Sequence, residues 1–178
     1  MRPRSPLWYL AALFLALGAW VIGAVVAAGA WDIVRDAGVS SSTAPVDAAD
    51  RSVAIFTDVV QPERRVTCSY TVAPAKKGAK PQAIEPAPID LTIADDGTEW
   101  YLIGFVLDGK DGMTVACTPR DKRTDNASYA VSAVDGFSQR ANVGNGIAIL
   151  GTVAGIGLGI WTFINRRRRL QEADDASA

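Results

Sequence analysis

Residues 7–31 read LWYLAALFLALGAWVIGAVVAAGAW, and residues 143–164 read VGNGIAILGTVAGIGLGIWTFI. Neither run holds a charged side chain. A helix needs about 20 apolar residues to cross the roughly 30 Å hydrocarbon core of a bilayer. At about 1.5 Å per residue both runs are long enough, the first with some tilt. Aromatic residues stand near their edges: Trp8, Tyr9 and Trp31 on the first, Trp161 and Phe163 on the second. Amphipathic rings favour the boundary between lipid and water. Trp20 falls mid-span and reads as a packing residue. The two runs set the expected fold class, a membrane protein whose two transmembrane α-helices flank a polar middle.

Orientation follows from the basic residues beside the spans. Arg2 and Arg4 precede the first, and Arg166, Arg167, Arg168 and Arg169 follow the second. Both termini are therefore expected in the cytoplasm of a plasma-membrane protein, with residues 32–142 outside. That middle carries 12 Lys and Arg against 16 Asp and Glu. A second reading stays open for the first span. Its basic start, apolar stretch and Ala28-Gly29-Ala30 resemble a signal peptide cut after Ala30, although the run exceeds the roughly 7–15 residues of a signal core.

The expected divisions are a cytoplasmic tail (1–6), a first transmembrane helix (7–31) and a juxtamembrane stalk (32–50). A β-domain (51–142), a second transmembrane helix (143–164) and a basic, then acidic, cytoplasmic tail (165–178) follow. The stalk rests on AGVSSSTAPVDAAD at 37–50, small and polar with Gly, Ser and Pro, which reads as flexible. From residue 51 the strand signal dominates. In residues 65–72, Val66, Cys68, Tyr70 and Val72 alternate with Thr67, Ser69 and Thr71, the pattern of a half-buried strand. Further strands are expected at 52–58, 89–94, 100–107, 113–118 and 129–134. Asp95-Asp96-Gly97 reads as a turn, residues 108–112 (DGKDG) as a hairpin connection, and Gly104 as a bulge. Residues 73–88, with four prolines and three lysines, read as an extended exposed loop. Short strands separated by turn residues predict a small antiparallel sandwich or barrel.

Cys68 and Cys117 are the only cysteines, and both fall on the apolar side of alternating strands. Outside the membrane such a pair is expected to form a disulfide; two buried free thiols are the alternative. The chain has no histidine, which removes the commonest general base and transition-metal ligand and any Ser–His–Asp triad. Paired cysteines leave no ligand set for structural zinc. Residues 108–112 fail the spacing of a calcium loop. Asn126-Ala127-Ser128 matches a glycosylation sequon, a weak signal in three residues. No catalytic residue, metal or cofactor is expected, and no enzyme.

Arg166, Arg167, Arg168 and Arg169 read first as a topology anchor and second as a contact for anionic lipid headgroups. Without a larger basic surface they do not suggest nucleic-acid binding. Gly151, Gly155 and Gly159 recur every four residues in the second span, as Ala19, Gly23 and Ala27 do in the first. Small residues at this spacing let helix backbones approach closely. The contact is either between the two spans or with a partner's helices, self-association included.

Several segments together resemble a known group: AIFTD with RRVTCSYTV (54–58 and 64–72), MTVACTP (113–119) and YAVSAV (129–134). These lead into VGNGIAILGTVAGIGLGIWTFINRRRR (143–169). The layout is similar to that of uncharacterised two-span membrane proteins of high-GC Gram-positive bacteria, the actinobacteria, with an extracytoplasmic β-domain. The resemblance implies topology and no activity. The expected role is a non-catalytic accessory or interaction subunit in contact with membrane lipid and other integral membrane proteins. The alternative is an extracytoplasmic ligand- or lipid-binding protein.

Overall fold

The computed structural model describes residues 7–60, 66–73, 80–119 and 125–175. The chain forms two compact units, one of Met1–Gly29 with Arg140–Ala178 and one of Ala30–Gln139. Arg2 and Arg4 lie outside the described residues.

Three helices are present: α1 (Leu7–Ala28), α2 (Ala30–Asp36) and α3 (Phe137–Asp175). Stretches Leu7–Asp36 and Phe137–Arg169 are each long and apolar enough to cross a membrane. The first run therefore extends past Trp31, as far as Asp36. The amide of Gly29 donates to the Val25 carbonyl at 3.1 Å, closing the last turn of α1. Helix α3 outruns the 143–164 apolar segment at both ends. Its added residues include Gln, Arg, Leu and Glu, which are good helix formers.

The second unit is a two-sheet sandwich. The larger sheet orders β1 (Ser40–Ser41), β9 (Tyr129–Val134), β2 (Ser52–Thr57), β7 (Thr98–Val106) and β5 (Glu85–Pro86). Strand β6 (Thr92–Asp95) pairs with the same edge of β7 as β5 does. The smaller sheet orders β4 (Gln82–Ala83), β3 (Val66–Val72) and β8 (Met113–Pro119). Every pairing is antiparallel. Strand β2 is buried along its whole length. Val53 and Ile55 on one face meet Cys68, Met113 and Val115 of the smaller sheet, and Val131 joins them from β9.

The opposite face of the larger sheet carries Ala54 and Phe56, with Phe105 directly across from Ala54. Helix α2 contacts β6 and β9. Trp31 of α2, Phe105 and Phe137 form a triangle of rings with centroids 4.6–5.2 Å apart. The first and last turns of this unit thus meet on one aromatic cluster, with Ala30 and Val34 of α2 fully buried beside it.

Several expectations need correction. Residues 37–50 are not a free stalk: β1 pairs with β9, Val46 bridges Met113, and Val46 and Ala48 belong to the core. The segment is polar on average, and Ala44, Pro45 and Ala49 are exposed, yet Val46 and Ala48 turn inward. Residues 108–112 do not close a hairpin, since β7 and β8 lie in different sheets. They carry the chain from one layer to the other. Asp111 accepts the Ala49 amide at 2.8 Å, and a Cβ on Gly109 would sit 2.6 Å from the Arg51 carbonyl oxygen. The residue bulged out of β7 is Ile103, not Gly104. Within the 73–88 loop, Ile84 is buried and flanked by β4 and β5; residues 74–79 lie outside the described set. The Asp95–Thr98 turn is as expected, with Asp96 and Gly97 both at positive φ (48° and 77°), the two-residue turn that suits a twisted hairpin.

Ala48 decides between stalk and core. Ala48→Asp places an unpaired carboxylate at a fully buried position and should destabilise the β-domain by about 3–5 kcal/mol. Urea unfolding of the full-length protein, followed by tryptophan fluorescence, measures this. A flexible stalk would leave the midpoint unchanged.

Candidate functional site

Cys68 and Cys117 face each other across β3 and β8, in register, with Cα atoms 4.0 Å apart and sulfurs 2.08 Å apart. The two residues are directly opposed in the antiparallel ladder. The bond links neighbours within the smaller sheet rather than one sheet to the other. Strand β4 adds only two residues at one edge of this sheet, and the bridge cross-links a β3–β8 ladder that runs from Val66–Pro119 to Val72–Met113.

An open groove of about 330 Å³ runs along the larger sheet. Asp95, Asp96, Trp100 and Tyr129 line it, together with Ser40 and Ser41. Asp95 is held by the Val39 amide at 3.2 Å, and Tyr129 donates to Asp125 at 2.7 Å. Carboxylates beside aromatic faces are suited to a cation. Outside the groove, Tyr101 donates to Glu99 at 2.7 Å, and that bond to a carboxylate raises its phenol above the usual value of 10.0. The residues of the expected sequon are in place, with Asn126 and Ser128 exposed. Among the described residues, no three His, Cys, Asp or Glu side chains gather as metal ligands.

The helical unit has a seam of small residues. Gly144, Ala148, Gly151 and Gly155 of α3 meet Gly23, Ala27, Ala19, Ala16 and Ala12 of α1. A Cβ on Gly144 would lie 2.5 Å from the Gly23 carbonyl oxygen, and one on Gly155 2.7 Å from that of Ala12. A Cβ on Gly151 would collide with the Ala19 methyl. Gly159 departs from the expected stripe, with no atom within 4 Å of its Cβ position. The reason is geometric. A four-residue step turns a helix by about 400°, so two steps carry Gly159 about 80° away from Gly151. The real seam alternates steps of four and three from Gly144 onward, the spacing that keeps one face toward a neighbour. The composition of α1 carried the same signal at Ala12, Ala16, Ala19 and Gly23.

Arg166, Arg167, Arg168 and Arg169 are exposed on α3, which continues beyond them to Asp175. Arg166 and Arg167 line a cavity of about 440 Å³ with Tyr9 of α1 and Phe163 of α3. Arg168 and Arg169 do not line it.

No protein-family model matches the chain, and no curated protein or solved structure matches it.

Two predictions follow from the geometry. Replacing Cys68 and Cys117 together by Ala should lower β-domain stability by about 4 kcal/mol on a chain-entropy account of a loop this long. Urea unfolding measures the loss, and intact mass without reductant should show the wild-type chain two hydrogens lighter than its reduced form. In the helical unit, Gly151→Val should cost about 1–3 kcal/mol by overpacking, while Gly159→Val should cost almost nothing. Thermal unfolding in mild detergent separates the two; equal losses would refute the seam.

Proposed function

We propose that this chain is a two-span plasma-membrane protein with both termini in the cytoplasm and its β-sandwich outside. It acts there as a non-catalytic accessory or interaction subunit of a larger membrane or cell-envelope complex. Support for the membrane reading comes from the exposed side chains of α1 and α3, among them Leu10, Phe14, Val25, Leu150, Val153 and Ile160. Little of either candidate span is buried within the protein. Aqueous solvent does not tolerate such a surface; a bilayer does. The layout's likeness to two-span actinobacterial proteins points the same way.

The observation that carries the docking role lies on α3. Its seam occupies Gly144, Gly151 and Gly155, while Gly146 and Gly157 have nothing within 4 Å. Eleven residues make about three helical turns, so Gly146 and Gly157 share one face. Such notches admit a partner's transmembrane helix. A second reading, an extracytoplasmic ligand-binding protein, draws on the acidic and aromatic groove at Asp95, Asp96, Trp100 and Tyr129.

The test is purification of the tagged full-length chain in mild detergent, beside a Gly146→Leu/Gly157→Leu variant. Wild type should elute in a larger assembly and the variant as a single chain. A lone monomer for both sinks the accessory role. In the same cells, an impermeant reagent should label residues in 51–135; complete protection would reverse the topology.

A further inference from the structure

Of the four consecutive arginines, only two line a cavity. Consecutive residues on a helix point about 100° apart, so a run of four sends guanidinium groups all the way round. Fixing topology needs only their number. The cavity at the helix ends uses particular ones: Arg166 and Arg167, with Phe163 one turn earlier on α3 and Tyr9 contributed by α1. Two helices therefore build the site. Among the described residues, neither guanidinium takes part in a salt bridge. The lining combines fixed positive charge and the single Tyr9 hydroxyl with two aromatic rings, beside two strongly apolar helices.

We propose that this cavity holds the phosphate of an anionic phospholipid of the cytoplasmic leaflet. Arg166 and Arg167 donate to the phosphate oxygens, the pairing in which guanidinium geometry is strongest. The Tyr9 hydroxyl is a further donor. The rings of Tyr9 and Phe163 lie against the glycerol and the first acyl methylenes. About 440 Å³ leaves room for the glycerol ester as well as the phosphate, and the apolar helix surfaces continue where the acyl chains would run. Basic pockets between transmembrane helices on the cytoplasmic side suit anionic headgroups on general electrostatic grounds. The inference rests on the two-span reading and adds a defined ligand class to it.

The same phosphate chemistry could come from a free anion, so the test has separate arms. Full-length protein is placed in phosphatidylglycerol nanodiscs, or in phosphatidylcholine nanodiscs with added inorganic phosphate, and retained molecules are read by native mass spectrometry after ejection. Wild type and Arg168→Gln/Arg169→Gln should keep bound phosphatidylglycerol. Arg166→Gln/Arg167→Gln should retain it about tenfold less per lost charged hydrogen bond, and Phe163→Ala should weaken retention with no change in charge. The two double variants remove equal charge from the same helix end, so equal loss in both overturns the pocket in favour of diffuse attraction. Phosphate retained in phosphatidylcholine discs in place of lipid also overturns it. If wild type fails to enter nanodiscs, the two-span reading falls and the pocket with it. If it enters and retains no anionic lipid, the pocket falls alone.

Discussion

Ten large apolar side chains on α1 and nine on α3 are exposed among the described residues. Burying apolar surface yields roughly 25 cal/mol per Å², and a soluble protein would fold these helices inward to gain it. This chain does the opposite. It turns its smallest residues toward each other and its largest away. The two backbones approach until a methyl group has no room at Gly144, Gly151 or Gly155. Contact of that kind is held by close van der Waals packing rather than by exclusion of water. Both halves of the arrangement suit the proposed lipid surroundings.

The β-domain solves a different problem with ordinary means. Its larger sheet needs cover on two faces. The smaller sheet covers one, and α2 with the Trp31–Phe105–Phe137 cluster meets the other. Strand β2 sits between the layers and is buried on both sides, so its sequence, SVAIFT, lacks the alternation seen in β3. The Cys68–Cys117 bridge cross-links the two long strands of the smaller layer. Val46 and Ala48 fill the remaining edge of the core from a segment whose composition suggested a tether.

What was legible in the sequence tracks how local the governing physics is. Two uncharged runs and a period-two pattern are local, and they disclosed the long helices and the strands β3 and β8. The Asp-Gly turn is local too. Sheet membership is not. Residues 108–112 have every mark of a hairpin, and only the partners chosen by β7 and β8 show that they bridge two layers. Residues 37–50 misled for a related reason. Average polarity described the segment, while two apolar side chains settled its fate. At the helix seam the right residue type was found with the wrong period. Counting by fours selected Gly159, whereas a face follows an average step near 3.5, which passes through Gly144, Ala148, Gly151 and Gly155.

That mismatch bears on the remaining glycines of α3. In a helix interior glycine costs roughly 0.5–1 kcal/mol relative to alanine. At Gly144, Gly151 and Gly155 the close approach of α1 offsets the cost, because alanine would not fit. At Gly146, Gly157 and Gly159 a methyl group would meet nothing, so no contact within this chain offsets it. Gly146 and Gly157 also share a face with the exposed Leu150 and Val153, giving that face a ridge between two notches. A ridge and notches of this shape are what a second helix needs in order to pack closely. Under the proposed docking role, Gly146 and Gly157 would receive such a helix, whereas Gly159, on another face, gains nothing from it.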